Sequence, residues 1–158
     1  MSPLLPDADA RQWLRLRQLR VQRARQALAR ALDAEREARA AVDARELRIA
    51  QGRARLDALA QHWGRAGSAD MPRWNAQLQA HRDLLAEQLE RDEYALLDDQ
   101  EALQQAQTGV ARCRGELARA QARESAVDAT VSEQRRQRLQ TREQAAELEA
   151  EEVFRTLH

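Results

Sequence analysis

The chain contains little of what an ordinary globular protein is built from. Aromatic residues make up 3% of its 158 residues, and glycine and proline occur only five and three times. A compact core needs large side chains, and its connecting loops need turn residues, so this composition argues against a globule. β-branched residues are also scarce, which disfavours strands. Alanine, arginine, glutamate, glutamine and leucine dominate instead, as is typical of long helices and coiled coils.

Several other features that the sequence lacks bear on the compartment in which the protein is found. The single cysteine, Cys113, excludes an internal disulfide and fits a reducing environment. There is no lysine, and the 26 arginines balance 26 acidic residues, so the net charge indicates neither nucleic acid nor membrane as a partner. No apolar run approaches the roughly 20 residues that span a membrane, and residues 1–10 lack the features of a signal peptide. We therefore expect a cytoplasmic protein that does not insert into membranes.

No residues are spaced as a catalytic or metal site requires. His62, His81 and His158 show no ligand spacing, and Cys113 has no neighbouring cysteine. The sequence has no glycine-rich phosphate loop and no nucleophile elbow. We expect a protein that is not an enzyme and that binds no cofactor or metal.

A heptad repeat is the main feature that is present. In the first half of the chain, one set of positions recurs every seven residues, and a second, mostly small set follows three residues later. The first set is Leu14, Val21, Leu28, Glu35, Val42, Ile49, Leu56 and Trp63, and the second is Arg17, Ala24, Ala31, Ala38, Arg45, Gly52 and Leu59. This pattern predicts one continuous helix with an apolar seam that needs a partner helix.

The second half of the chain repeats the pattern and supplies that partner. Its two sets are Leu89, Leu96, Leu103, Val110, Leu117, Glu124 and Val131, and Asp92, Asp99, Ala106, Cys113, Ala120, Val127 and Gln134. Turn residues cluster only between the halves, at Gly64, Gly67, Ser68, Asp70 and Pro72. The prediction is an all-α fold, a two-helix antiparallel coiled-coil hairpin with a longer, overhanging second helix. Its parts are a flexible leader (1–9), helix one (10–63), a turn (64–72), the paired part of helix two (73–126) and an overhanging tail (127–158).

The charges agree with a register in which the numbers of facing residues sum to about 138. Acidic residues crowd positions 83–101, and arginines occupy the stretch of helix one that would face them. Near the chain ends, by contrast, arginines of helix one would face arginines of helix two. This open end is therefore expected to bind an acidic partner, with a merely solvated face as the alternative. Trp63 and Trp74 either plug the end of the seam beside the turn or flank a second binding surface there.

Binding of nucleic acid at the arginine-rich end is a competing interpretation. Acidic residues interleave with the arginines of the tail, and aromatic side chains for stacking on a strand are missing there, which disfavours it. A generic coiled-coil adaptor or chaperone hairpin is the other alternative. A scaffold of that kind would dimerise through exposed seam residues, whereas a stalk would be a monomer.

The layout resembles a known family. A helix of about 50 residues, a turn, and a longer helix that begins with Met71, Pro72, Arg73 and Trp74 and carries apolar Leu78 are similar to the FliJ/YscO family. These are stalk proteins of type III export machines, in flagella and in injectisomes, and the arginine- and alanine-rich style is closer to the Hrp-type injectisome branch. At His81 this chain departs from the family, whose members often have an aromatic residue at that position.

The resemblance implies a non-enzymatic stalk protein of virulence or flagellar export. Its open end would bind a hexameric export ATPase and promote its assembly or activity, and the half near the turn would reach the export gate. Such proteins also escort substrate chaperones in some cases. The implied ATPase-binding residues are Trp13, Leu14, Arg17, Arg20, Arg135, Arg136, Arg138 and Leu139. The implied gate-binding residues are Trp63, Trp74, Leu78, His81 and Leu85.

Overall fold

Two long helices make up the fold. The computed structural model describes residues 5–65 and 71–157, in which α1 spans Asp7–Arg65 and α2 spans Met71–Thr156. The helices contain 59 and 86 residues, and the described residues include no strand. The all-α, two-helix hairpin predicted from the heptads is confirmed.

The first helix begins earlier than the sequence predicted. Residues 7–9, expected to belong to the leader, form the first turn of α1. The Ala10 backbone N–H donates a hydrogen bond to the Pro6 carbonyl at 3.0 Å, so Pro6 takes the capping position. Asp7 and Asp9 place carboxylates in that first turn, where the helix dipole favours negative charge.

The predicted turn falls mostly outside the described residues. Gly67, Ser68 and Asp70 lie there, whereas Gly64 belongs to the last turn of α1 and Pro72 to the first turn of α2. Proline is tolerated at Pro72 because the first N–H groups of a helix have no intrahelical acceptor.

Burial follows the two heptad sets. Every seam position named above is buried or half-buried, on both helices. The most buried side chains include Val21, Val42, Ile49 and Val110, at 3–7% exposure. No described charged or polar residue is buried to that degree, so the apolar contact is a seam and not a central core.

The chain divides into two compact units, each containing segments of both helices. Unit 1 comprises Met1–Leu28 and Arg112–His158, and unit 2 comprises Ala29–Ala111. In unit 1, Ala10, Val127 and Val131 form a buried cluster against which Leu14 packs. In unit 2, an alanine-type Cβ built at Gly52 would lie 3.5 Å from Leu89 Cδ1, so these two seam positions face each other.

The pairing of α1 with α2 extends further than the sequence predicted. Residues from 127 onwards were expected to overhang, but Val127 and Val131 are buried against Ala10. Arg138 forms an ion pair with Asp7 and donates a hydrogen bond to the Leu5 carbonyl. The earlier start of α1 supplies these partners. The exposed segment therefore begins at about Leu139.

Unit 2 is joined by ion pairs between its two helices. Arg45 lies at a seam position and donates hydrogen bonds of 3.0 Å to both Asp92 and Asp99. Arg48 adds a 3.2 Å contact to Asp92, and Arg53 pairs with Glu93 at 3.1 Å. The hydrogen bonds that Arg45 donates, first to Asp99 and then to Asp92, raise the pKa of Arg45 above its ordinary value. The acidic and basic stretches thus meet as the sequence predicted.

Candidate functional site

A groove of unit 1 brings several arginines together with few acidic side chains. The groove is lined from α1 by Arg17 and Arg20, and from α2 by Glu116, Arg119, Ala120 and Arg123. We call these six residues the arginine groove. Four guanidinium groups meet a single carboxylate there. None of the four arginines makes an ion pair with a described residue.

Helical spacing explains why these side chains meet. Arg17 and Arg20 are three residues apart on α1, and Arg119 and Arg123 are four apart on α2, so each pair projects from one side of its helix. Because Ala120 occupies the seam between Arg119 and Arg123, its small side chain leaves the groove open. Arg17 also occupies a seam position and is half-buried.

Arg17 has an unsatisfied polar atom. Its Nε is buried and has no hydrogen-bond partner among the described residues. A buried donor without an acceptor costs about 1–3 kcal/mol, and like charges that approach each other add to that cost. A carboxylate placed in the groove would reduce the repulsion among the arginines, since guanidinium and carboxylate groups form paired, charge-assisted hydrogen bonds.

The ATPase-binding residues that the resemblance implies on α1 differ in how exposed they are. Trp13 is 36% exposed, whereas Leu14 packs against the Ala10 cluster and contributes mainly to the hairpin. Arg20 is exposed and lies in the arginine groove beside Arg17. Of these α1 residues, Trp13, Arg17 and Arg20 are therefore available to a partner.

The ATPase-binding residues that the resemblance implies on α2 also differ in how exposed they are. Arg135 and Arg136 are exposed, and Arg136 makes only an ion pair of 3.6 Å with Glu133 on its own helix. Arg138 forms an ion pair with Asp7 and donates a hydrogen bond to the Leu5 carbonyl, so its role is to hold the start of α1. Leu139 is 58% exposed. All eight implied ATPase-binding residues belong to unit 1.

Arg119 and Arg123 were not assigned to the site by sequence reasoning. They appear in the sequence as two among many arginines, and only the pairing of the helices sets them opposite Arg17 and Arg20. A signal was present: with a register sum near 138, Arg20 faces a position next to Arg119. Listing charges by helix face would have identified the groove.

The second predicted surface lies in unit 2. Trp74 is 55% exposed and His81 is exposed, while Trp63, Leu78 and Leu85 are half-buried. Leu85 also borders a shallow groove that Arg48, Gly52 and other residues line. Of the five implied gate-binding residues, Trp74 and His81 are the most accessible.

The described ranges contain neither a metal-binding cluster nor a helix that could span a membrane. Residues 5–65 and 71–157 contain no group of three or more histidine, cysteine or acidic side chains that could hold a metal ion. Among the same residues, no helix has a stretch both long and apolar enough to cross a bilayer.

Comparison of the chain with protein-family models, with curated proteins and with solved structures finds no match in any of the three. The functional interpretation therefore depends on the geometry of the chain itself and on the resemblance described above.

Proposed function

We propose that this chain is a non-enzymatic stalk component of a type III protein export apparatus in the cytoplasm. In this proposal the arginine-rich part of unit 1 binds the hexameric export ATPase and promotes its assembly or activity. The surface around Trp74 and His81 meets the cytoplasmic domain of the export gate, and substrate chaperones are further partners.

The arginine groove is the observation that carries the proposal. Four arginines share it without an ion pair, and Arg17 Nε is buried without an acceptor. In unit 2, Arg45, Arg48 and Arg53 have carboxylate partners on the other helix, and Arg30, Arg55 and Arg82 are exposed without an ion pair to a described residue. The groove differs in that its four arginines line one cavity with a single glutamate, which leaves them for an external acidic group, such as carboxylates at the centre of an ATPase ring.

The direct test is ATP hydrolysis by the export ATPase of the same genome, with and without this protein. The informative variant combines Arg20→Glu, Arg119→Glu and Arg123→Glu, all at exposed positions of the groove. It leaves Arg138 intact, because that side chain holds the start of α1. We expect the native protein to stimulate hydrolysis or hexamer formation, and the variant to lose that effect.

A matched control separates the groove from general charge. Arg30, Arg55 and Arg82 are exposed, lie in unit 2 and form no ion pair with a described residue. Their triple replacement by glutamate changes the net charge equally and should leave stimulation intact. Equal loss in both triple variants would assign the effect to overall charge, and no stimulation or binding by the native protein would refute the proposal.

A generic coiled-coil adaptor is the second candidate. The exposed apolar side chains of unit 2, among them Leu47, Tyr94 and Leu97 at 60–67% exposure, favour it because they could bind further helices. An adaptor of this kind should retain its partners when the groove arginines are reversed. Capture of the same partners by the native protein and the groove variant would support this alternative.

A further inference from the structure

The predicted tail was residues 127–158; from here on the name is restricted to residues 139–157, at the exposed end of α2. Each of these residues is exposed, and the helix continues without a break to Thr156. Leu139, Ala146, Val153 and Leu157 recur at intervals of seven, seven and four residues, so they share one side of the helix. Leu139, Val153 and Leu157 are 57–75% exposed. The tail thus carries one exposed apolar stripe, while Leu148, which is 62% exposed, lies on the opposite side of the helix.

The flanks of the tail are acidic. It contains five glutamates (Glu143, Glu147, Glu149, Glu151 and Glu152) against two arginines (Arg142 and Arg155), a net charge of −3. A suitable partner would therefore present an apolar stripe with basic flanks.

One face of α1 in unit 1 has those properties. Ala8, Gln12, Leu16 and Leu19 line a shallow groove on its outer side together with Arg11 and Arg15. Leu16 and Leu19 are 46% and 45% exposed. Residues 5–23 contain five arginines and two aspartates, a net charge of +3, and three of the arginines (Arg11, Arg15 and Arg23) lie outside the arginine groove. We call this stretch the basic face.

The two surfaces match in length as well as in charge. The tail and residues 5–23 each correspond to about 27 Å of helix. The tail cannot reach the basic face of its own chain while α2 remains continuous. Arg138 already lies at Leu5 and Asp7, at the start of α1, so the tail extends about another 27 Å past that point.

We propose that the tail of one copy docks on the basic face of a second copy, so that two copies exchange tails reciprocally. The exchange is a two-fold, isologous contact in which each chain supplies one tail and one basic face. It buries Leu16 and Leu19 against the apolar stripe and sets glutamates against Arg11, Arg15 and Arg23. The inference goes beyond the proposed function, since a stalk bound to its ATPase is expected to act as a single copy.

The test is the mass of the full chain in solution, measured by sedimentation equilibrium at low and high salt. We expect a dimer of twice the 18.0 kDa chain mass at low salt. Its dissociation constant should rise about tenfold or more at high salt, because exposed charges carry the contact. A single mass of one chain at every salt concentration, up to about 100 µM protein, would overturn the proposal.

Charge reversal identifies the surfaces. One variant combines Arg11→Glu, Arg15→Glu and Arg23→Glu, and the other combines Glu143→Arg, Glu147→Arg and Glu149→Arg. Each variant alone should be monomeric. A mixture of the two should form a dimer with one copy of each, because the reversed basic face of one variant then meets the reversed tail of the other. Homodimers of either variant, or a mixture that stays monomeric, would contradict the tail exchange.

Helicity measured by circular dichroism shows whether the variants fold. If one of them does not fold, the single change Leu19→Arg within the basic face should weaken the native dimer at least tenfold. An unchanged dimer would contradict the exchange. These positions lie outside the arginine groove. Loss of the dimer together with retained ATPase stimulation therefore separates this inference from the proposed function, whose own failure would appear as absent stimulation by the native chain.

Discussion

Replacing Gly52 by alanine should stabilise the pairing of the two helices. Gly52 lies inside α1, and no described glycine has the positive φ that would require it. An added methyl group would lie 3.5 Å from Leu89 Cδ1 and 3.9 Å from Leu89 Cβ, which is ordinary van der Waals contact. Alanine therefore gains helix propensity without displacing a neighbour, and the expected gain in the free energy of unfolding is about 1 kcal/mol.

Gly109 provides the matched control. It lies within α2, and a methyl group added there would meet nothing within 4 Å. Gly109→Ala should gain the propensity contribution of about 1 kcal/mol alone. The difference between the two variants then measures what the methyl group gains by contact with Leu89, which is at most about 0.8 kcal/mol for one buried carbon.

Urea unfolding followed by circular dichroism measures both effects. We expect a higher midpoint with an unchanged slope for each variant, which corresponds to about 2–4 °C in the thermal midpoint for a chain of this size. Destabilisation by Gly52→Ala, while Gly109→Ala stabilises, would show that α1 and α2 approach more closely at Gly52 than the 3.5 Å distance to Leu89 Cδ1 implies. Destabilisation by both would refute the propensity argument itself.

Three further predictions concern the packing of each unit. Val127→Ala removes two buried methyl groups, so it should lower the free energy of unfolding of unit 1 by about 1.5–2.5 kcal/mol and speed hydrogen exchange in the first turns of α1. The control Val153→Ala, at an exposed position, should change the free energy of unfolding by less than about 0.5 kcal/mol. Arg45→Ala should lower the urea midpoint more than Arg53→Ala, because it leaves half-buried Asp99 without its partner and half-buried Asp92 with Arg48 alone; equal losses would contradict this. The Cys113 thiol, 7% exposed, should react with a thiol reagent only as fast as the helices open, and faster labelling in native buffer would show that the seam is looser.

Heptad spacing was sufficient to predict the seam because it depends on the period of the helix alone. Glu35, Arg45 and Glu124 illustrate this, since each is charged and yet half-buried at the seam position that the count assigns to it. The hairpin register predicted that acidic positions 83–101 would face arginines of helix one, and Arg45 meets Asp92 and Asp99 there at 3.0 Å. Period and charge together therefore determine which residues face each other.

The ends of the pairing could not be predicted in this way. Whether Asp7 or Ala10 begins α1 depends on which backbone carbonyl accepts the first hydrogen bond, and Pro6 does so. The length of an arginine side chain then lets Arg138 reach Asp7 beyond the last buried valine. Periodicity contains no information on either contact. The arginine groove could not be predicted for a related reason, since it depends on which charged residues from two distant segments share one side of the helix pair.

The central claim is that an export ATPase binds at the arginine groove. Photo-cross-linking residues introduced one at a time at Arg20, Arg123 and Arg82 test it most directly, since all three positions are exposed and only the first two belong to the groove. With the ATPase hexamer from the same genome present, positions 20 and 123 should cross-link to it and position 82 should not. Cross-links from position 82 alone, or from none of the three under conditions that assemble the hexamer, would contradict the account.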